Sequence, residues 1–227
     1  MIFKQVFDKK SSTFTYLIAS SEGREALIID PVIENVDNYI QLLNELDLKL
    51  VKVIDTHIHA DHVTGASKLK DKTKCITIMG DHTPADSVEI KVKDGELIKL
   101  DQLELRAIYT PGHTSDSFSF LMNNYLFSGD TLLINGTGRT DFQNGNAKDA
   151  YDSIFNKLLK LPDETLLYPA HDYKGENVST IGKEKKLNPR LQVENVTQYI
   201  EIMNDLNLQK PVSLDFNISC NLKLGAI

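Results

Sequence analysis

The apolar and polar positions of this chain fall into short runs that predict many β-strands with a few helices between them. The predicted strands, rich in β-branched or aromatic residues, are the opening residues and the runs at 13–19, 26–29, 50–55, 75–78, 88–92, 103–108, 117–121, 125–127 and 165–168. Apolar residues at helical spacing predict amphipathic helices capped by Asn35, at about 147–160 and at about 193–206. The order of these elements favours a mixed α and β domain with substantial antiparallel sheet.

Composition and charge narrow the class of protein. The chain has 227 residues, 41% of them hydrophobic and 25% charged, as expected for one globular domain with a buried core. Its net charge of −7 argues against a protein that binds nucleic acid. Two distant cysteines, Cys75 and Cys220, form neither a disulfide framework nor a cysteine zinc site. The sequence contains no recognisable signal peptide or long apolar span, so we expect a cytoplasmic protein that does not bind membranes.

Histidine is unevenly distributed along the chain. Three of the six histidines lie in the segment 57–62, which follows the strand predicted at 50–55. This segment reads HxHxDH, and its candidate metal ligands are His57, His59, Asp61 and His62. Imidazole and carboxylate groups are the usual protein ligands of zinc, iron and related divalent ions. The pattern therefore predicts a metal site on the loop that follows a strand.

Three further segments have the same character, because each places a polar ligand in a turn after an apolar run. They are the stretches 109–114, 126–131 and 167–172, which contribute His113, Asp130 and His171. Each motif is weak alone, since a histidine after Pro-Gly is commonly just a turn residue. In order behind the first cluster they assign five of the six histidines to one site.

The order THIHADH, PGHT, SGD and AHD resembles the metallo-β-lactamase superfamily. The segments GRTDFQ at 138–143, YPAHDY at 168–173 and LNPRL at 187–191, with the ending at 206–216, resemble the persulfide dioxygenases (sulfur dioxygenases) of that superfamily. The resemblance implies an α+β fold, namely an αββα sandwich of two packed mixed sheets with helices outside. It also implies one domain over 1–227, with a C-terminal extension at about 185–227 packed on it.

The resemblance further implies a mononuclear non-haem Fe(II) site, with one iron per chain held by His57, His113 and Asp130. Two imidazoles and one carboxylate leave coordination positions open for O₂ and substrate. Four other residues are expected to orient ligands and waters through hydrogen bonds, namely His59, Asp61, His62 and His171. Tyr173 is a candidate hydrogen-bond donor to the bound sulfur or oxygen.

The implied reaction oxidises glutathione persulfide with O₂ and water to sulfite and glutathione. Candidate cations for the glutathione carboxylates are Arg139, Arg190, Lys174 and Lys223. The resemblance also implies a homodimer, and a separate sulfurtransferase that supplies the persulfide is a candidate partner. The segment 217–225 departs from the family pattern, with Leu224 where some members carry cysteine. We expect Cys75 and Cys220 to be packed, inert thiols and His82 to lie in a surface loop.

The same residues bear on three other functions. A glyoxalase II-type hydroxyacylglutathione hydrolase would use the same seven ligand types for a binuclear centre, although the stretch after His171 is short for its helical substrate domain. A metallo-nuclease conflicts with the acidic charge. A non-catalytic metal-binding or scaffold role would make little use of an open ligand set. The ligand inventory alone leaves the hydrolase open.

Overall fold

The computed structural model describes residues 1–226, and Ile227, the last residue of the predicted domain and extension, lies outside the described residues. Two six-stranded mixed sheets form the body of the protein. The first sheet contains, in spatial order, β1 (Ile2–Asp8), β2 (Thr13–Ala19), β3 (Glu25–Ile29), β4 (Lys49–Ile54), β5 (Ile76–Gly80) and β6 (Ile90–Val92). Antiparallel pairing joins its first three strands, and parallel pairing joins the last four.

The second sheet is mostly antiparallel, with one parallel pair. It contains β7 (Leu97–Leu100), β8 (Leu103–Tyr109), β9 (Phe118–Met122), β10 (Tyr125–Gly129), β13 (Leu166–Pro169) and β14 (Ser179–Thr180). β10 and β13 run parallel, so their carboxyl ends meet at the same edge. A small hairpin of β11 (Leu132–Leu133) and β12 (Gly136–Thr137) follows β10.

Helices cover the outer faces of both sheets. They are α1 (Val36–Glu45), α2 (Ala66–Thr73), α3 (Ala147–Asn156), α4 (Ile181–Leu187), α5 (Val196–Asn204) and α6 (Leu214–Asn221), with 3₁₀ turns at Ile33–Asn35, Leu158–Lys160 and Pro189–Leu191. No helix within residues 1–226 is long and apolar enough to cross a membrane. Residues of the predicted C-terminal extension contact the body, since Tyr199 and Met203 pack with α3. The single-domain organisation stays a prediction.

Successive side chains of the central strands point to opposite faces of the sheet, which explains why an apolar core forms on each face. Along β2, Tyr16 and Ile18 face the second sheet, whereas Leu17 and Ala19 face the helices α1 and α2. Neighbouring side chains of a strand point to opposite faces, so a strand that is apolar throughout must be covered on both sides. The sandwich with helices outside confirms the predicted αββα fold.

The carboxyl ends of four strands gather the candidate ligand loops at one edge of the sandwich. The loops follow β4, β8, β10 and β13. Backbone bonds tie the two sheets there, because Phe14 N–H donates to Ala170 O at 2.7 Å and Phe118 N–H donates to Thr56 O at 2.9 Å. The ligands are therefore held by strand ends of both layers.

The structure corrects several sequence-based boundaries. The helix predicted at 147–160 ends as α3 at Asn156 and continues as a 3₁₀ turn, and the helix predicted at 193–206 is shorter. Asn35 does not cap α1 with its side chain, which donates instead to Asp8 Oδ1 at 3.1 Å, because a 3₁₀ turn precedes the helix. The pattern missed β7, the short strands β11, β12 and β14, and the helices α2, α4 and α6. Few apolar residues mark α2, where only Ala66 and Leu69 are buried.

The core between the sheets should dominate stability. Phe120 is fully buried there, and we expect Phe120→Ala to lower the free energy of unfolding by about 3–5 kcal/mol, because it leaves a cavity that the two sheets cannot close. Phe7→Ala removes the same atoms from a side chain that is 43% exposed, and it should cost less than half as much. Urea unfolding of both variants measures the difference, and equal losses would contradict this placement of the core.

Candidate metal centre

The loops after β4, β8 and β10 bring the three predicted iron ligands together. His57, His113 and Asp130 each offer a ligand atom, and these atoms lie within 4.8 Å of one another. His113 Nε2 lies 3.4 Å from Asp130 Oδ2, and the rings of His57 and His113 are 5.0 Å apart between centroids. His57 is buried, whereas His113 and Asp130 are partly open to a cavity.

Hydrogen bonds fix which nitrogen of His57 is free. Thr56 Oγ1 donates to Asp30 Oδ2 at 3.0 Å, so it accepts the proton of His57 Nδ1, also at 3.0 Å. His57 therefore carries its proton on Nδ1 and presents the Nε2 lone pair to the centre. Burial, with neighbouring imidazoles, lowers the pKa of His57 well below its usual range. A neutral imidazole oriented in this way is what metal binding requires.

His113 is oriented by the backbone of the next loop. Its Nδ1–H donates to the carbonyl oxygen of Arg139 at 2.8 Å, which leaves Nε2 facing Asp130. Gly138 permits this approach, since a Cβ there would lie 2.0 Å from Asp130 O and 3.0 Å from the His113 ring. Gly129, before Asp130, adopts φ +53°, and a Cβ there would lie 2.7 Å from Thr56 Oγ1. These close contacts explain the glycines of the SGD and GRTD segments.

Beside these ligands lie the four residues expected to act through hydrogen bonds. His59 Nε2 donates to Asp30 Oδ1 at 3.1 Å, and His62 Nδ1 donates to Asp61 Oδ2 at 2.8 Å. His171 Nδ1 donates to Ser12 O at 3.0 Å, and its Nε2 lies 3.4 Å from Asp61 Oδ2. Every ring of the group thus has one nitrogen fixed by an oxygen acceptor.

The charges of this second group are coupled. Burial works to raise the pKa of Asp61, but the imidazoles of His62 and His171 outweigh it and hold that pKa well below its usual range. Burial works to lower the pKa of His171, but the carboxylates of Asp130 and Asp61 raise it well above the usual value. The group therefore favours an ionised Asp61.

The pattern of unsatisfied atoms fits a metal ion. Among residues 1–226, the buried side-chain polar atoms without a hydrogen-bond partner are His57 Nε2, His59 Nδ1, His62 Nε2 and Asp130 Oδ1. Buried polar groups are almost always paired, because an unpaired one costs free energy. Two of these atoms, His57 Nε2 and Asp130 Oδ1, belong to the group of His57, His113 and Asp130, where one cation would satisfy both. The other two belong to the adjacent group of His59, Asp61 and His62.

A cavity of about 640 Å³ opens from this centre to the surface. Its floor includes His113, Asp130, Asp61 and His171, and its walls are built mainly from the β11–β12 hairpin and the segment 208–214. A space of this size accommodates a small peptide conjugate.

The four cations predicted to bind substrate differ in whether they line the cavity and whether a carboxylate pairs with them. Arg190 and Lys174 line the cavity, and among the described residues no carboxylate lies within ion-pair distance of either. Arg190 Nη1 donates to the carbonyl oxygen of Thr137. Arg139 also lines the cavity, but Asp141 holds it in a two-point ion pair at 2.6 and 2.7 Å. Lys223 is exposed and lies outside the cavity lining, so its assignment as a substrate contact is corrected.

Arg139 makes several contacts within the protein, and its role as a substrate contact stays a prediction. Its Nη1 donates to Gln209 O at 2.7 Å, and its guanidinium lies 4.5 Å above the ring of Phe142. With Asp141 on its other edge, the side chain is committed to protein contacts. The arginine therefore ties the wall at 208–209 to the loop that orients His113.

The remaining predicted positions are easily placed. Tyr173 is 72% exposed, lines the cavity and stacks its ring on His171 at 5.9 Å between centroids. Cys75 and Cys220 are buried free thiols, and Leu224 packs in the core beneath the first sheet. His82 lies in a loop and stacks on Tyr109 at 3.9 Å.

Sequence reasoning missed the residues that support the ligand loop. Asp30 accepts hydrogen bonds from Thr56 and His59, and Asp116 Oδ2 accepts from Ile58 N–H at 3.0 Å. Gln143 Nε2 donates to Ile58 O at 2.6 Å. The one feature of the sequence that could have pointed to these supporting residues is that each is a polar residue directly after an apolar run or a turn.

Comparisons with known proteins agree with this geometry. The family model described as the metallo-beta-lactamase superfamily matches residues 9–86 and 80–171. The chain is 41% identical over 228 residues to the mitochondrial persulfide dioxygenase ETHE1 of Homo sapiens, covering 99% of this chain and 89% of the relative. The crystal structure of ETHE1 from Myxococcus xanthus superimposes with a TM-score of 0.97 at 46% identity, covering 100% of both chains.

A hydrolase relative is more distant. The hydroxyacylglutathione hydrolase of Dictyostelium discoideum is 32% identical over 175 residues, covering 73% of this chain and 64% of the relative. The motif-based resemblance is therefore confirmed. From similarity over nearly its whole length, the chain belongs to the persulfide dioxygenase family, a group of oxidoreductases within the metallo-β-lactamase superfamily.

Proposed function

We propose that this protein is a mononuclear Fe(II) dioxygenase that converts glutathione persulfide, O₂ and water into glutathione and sulfite. The observation that carries the proposal is the set of His57, His113 and Asp130, one face of two imidazoles and one carboxylate beside an open cavity, in a chain of this family. Such a face is typical of non-haem iron oxygenases. Fe(II) held there supplies the redox chemistry that O₂ requires.

The proposed reaction balances without a further reductant. The outer sulfur of the persulfide loses its bond to the inner sulfur and gains three oxygen atoms, two from O₂ and one from water. The two sulfurs together give up four electrons, which O₂ accepts, and two protons are released with sulfite and the thiol.

The protein's own residues bind and orient the substrate. Arg190 and Lys174 are the cavity cations without a carboxylate partner among the described residues, and they are proposed to bind the glutathione carboxylates. Tyr173 lies beside His171 at the cavity and is proposed to donate a hydrogen bond to the substrate sulfur or oxygen. His59, Asp61, His62 and His171 are proposed to hold the ligand loops through their hydrogen bonds.

The hydroxyacylglutathione hydrolase is the second candidate. The observation in its favour is that His59 Nδ1 and His62 Nε2 are also unpartnered within residues 1–226, so the ligand types of a binuclear centre are present. The lower identity and coverage of the hydrolase relative favour the dioxygenase.

The purified protein should distinguish the two candidates directly. Loaded with Fe(II), it should consume O₂ when given glutathione persulfide and release an equal amount of sulfite. An oxygen electrode and a sulfite assay measure both quantities. Hydrolysis of S-lactoylglutathione without O₂ uptake, by a protein that holds two zinc ions per chain, would overturn the proposal.

Removal of a proposed ligand should abolish metal binding and activity together. We expect His57→Ala, His113→Ala and Asp130→Ala each to lose the iron and to reduce O₂ consumption at least about a thousandfold, because two ligands hold the ion poorly. His82→Ala, outside the site, is the control and should keep both. Metal analysis and thermal unfolding are measured on every variant, and a folded His113→Ala that retains full iron would refute this ligand assignment.

The number of metal ions has its own test. If the site is mononuclear, His62→Ala should retain most of the iron, because His62 then acts only through hydrogen bonds to Asp61. Metal content by mass spectrometry should stay near one iron per chain. Loss of all metal from His62→Ala would favour a binuclear centre.

Arg190 should contribute to substrate affinity. We expect Arg190→Lys, which keeps a positive charge but loses the guanidinium fork, to raise KM for glutathione persulfide about tenfold with little change in kcat, because the contact is made equally before and during reaction. Lys223→Ala removes an exposed cation outside the cavity and should leave KM unchanged. Equal KM values for both variants and the native protein would contradict this role of Arg190.

The homodimer implied by the resemblance, the expected cytoplasmic location and the candidate sulfurtransferase partner belong to the same proposal. Sedimentation of the purified protein tests the first, and fractionation of the source cells tests the second.

A further inference from the structure

The C-terminal helix α6 contacts the metal-binding loop through side-chain amides. The loop 55–65 has no regular helix or strand, so its backbone polar groups need partners from elsewhere. Two of the partners are Asn217 and Asn221, which lie one helical turn apart on α6 and are both buried. Residues four apart on a helix share a face, so both amides point to the loop.

Asn221 makes three hydrogen bonds to this loop. Its Nδ2 donates to His59 O and to His62 O, each at 2.8 Å. Its Oδ1 accepts from Thr64 N–H at 2.9 Å. One side chain therefore satisfies both carbonyl groups that flank the Ala60–Asp61 segment and an amide two residues beyond His62.

Asn217 and the turn after α6 complete the contact. Asn217 Nδ2 donates to Ala60 O at 2.9 Å, and Ser67 N–H donates to Leu224 O at 2.9 Å. Gly225, at φ +78°, passes so close to the loop that a Cβ would lie 1.9 Å from Thr64 O. The tail thus approaches the loop by several independent contacts along its length.

From these contacts we infer that Asn217 and Asn221 are positioning residues of the metal centre. They hold the backbone of residues 59–64, which follows the ligand His57, in the shape that directs Asp61 and His62 into the group beside the ligands. Without the amides, three carbonyls and one N–H of a buried loop lose their partners, and the loop must shift to reach water. The inference rests on the metal centre of the proposed function, but it does not depend on which reaction occurs there.

The consequence is measurable as metal affinity. Metal ligands tolerate little displacement, and loss of a residue that orients them typically weakens metal binding about ten- to hundredfold. We therefore expect Asn221→Ala to raise the dissociation constant for Co(II) about tenfold or more and to change the visible absorption bands of the bound ion. Asn217→Ala removes one bond instead of three and should have a smaller effect in the same direction.

The experiment titrates Co(II) into the metal-free full-length protein in competition with a chelator. Asn221→Asp is the variant of matched shape, since it keeps the acceptor for Thr64 N–H but cannot donate to His59 O and His62 O, and it should lose affinity as Asn221→Ala does. Ser219→Ala, an exposed position on the same helix, is the control and should bind Co(II) as the native chain does. Thermal unfolding of each metal-free variant identifies those that remain folded.

Two results would overturn the inference. One is a folded Asn221→Ala with native Co(II) affinity and an unchanged spectrum. The other applies if both Asn221 variants fail to fold. In that case Asn217→Ala is compared with the native chain, and native Co(II) affinity in a folded Asn217→Ala contradicts the inference. Because Co(II) affinity needs neither O₂ nor persulfide, an absence of dioxygenase activity would refute the proposed function and leave this result standing.

Discussion

The buried carboxylate of Asp30 is the interaction on which the metal centre depends. It lies just after β3 and accepts hydrogen bonds from Thr56 N–H at 2.7 Å, Thr56 Oγ1 at 3.0 Å and His59 Nε2 at 3.1 Å. A fully buried carboxylate is costly unless its oxygens are satisfied, so the loop after β4 must fold to bring these donors to it. The same bonds fix the orientation of both rings. Asp30 therefore directs His57 Nε2 and His59 Nδ1 to the centre before any ion binds.

Unpartnered buried ligand atoms cost free energy of folding, so the loops that carry them must be held by a stable part of the fold. His57 Nε2 and Asp130 Oδ1 are buried electron-pair donors without partners among residues 1–226, which destabilises the metal-free protein, and a cation bound to them would remove that cost. Strand ends of both sheets hold the loops against collapse, through bonds such as Phe118 N–H to Thr56 O. The apolar core between the sheets thus offsets the free energy that the unpartnered ligand atoms cost. Metal binding and folding are therefore coupled.

Local patterns made the strands and the ligand motifs predictable, whereas distant hydrogen bonds could not be predicted. The run 13–19 was predicted with its observed bounds, and the ligand loops follow strands as expected. Asp30 meets Thr56 across 26 positions, and Asn221 meets His59 across 162, and nothing in either local sequence specifies these pairings. Arg139 is predicted as a substrate contact from its place beside a ligand, and the local sequence does not indicate its hydrogen bond to Gln209 O, 70 positions away. Partners of that kind emerge only from the folded chain.

The net charge of the chain says little about binding at the cavity, where the nearest charged side chains matter most. The chain carries a net charge of −7, yet its proposed substrate is anionic. At physiological ionic strength, charges separated by more than about 8 Å are largely screened, so the acidic surface repels the substrate weakly. Arg190 and Lys174 line the cavity itself without a carboxylate partner in residues 1–226, so they are close enough to act on an anion held there. Recognition of an anion by this acidic protein would therefore depend on the charged groups that line the cavity, which include the carboxylates of Asp61 and Asp130 as well as these cations, more than on the net charge of the chain.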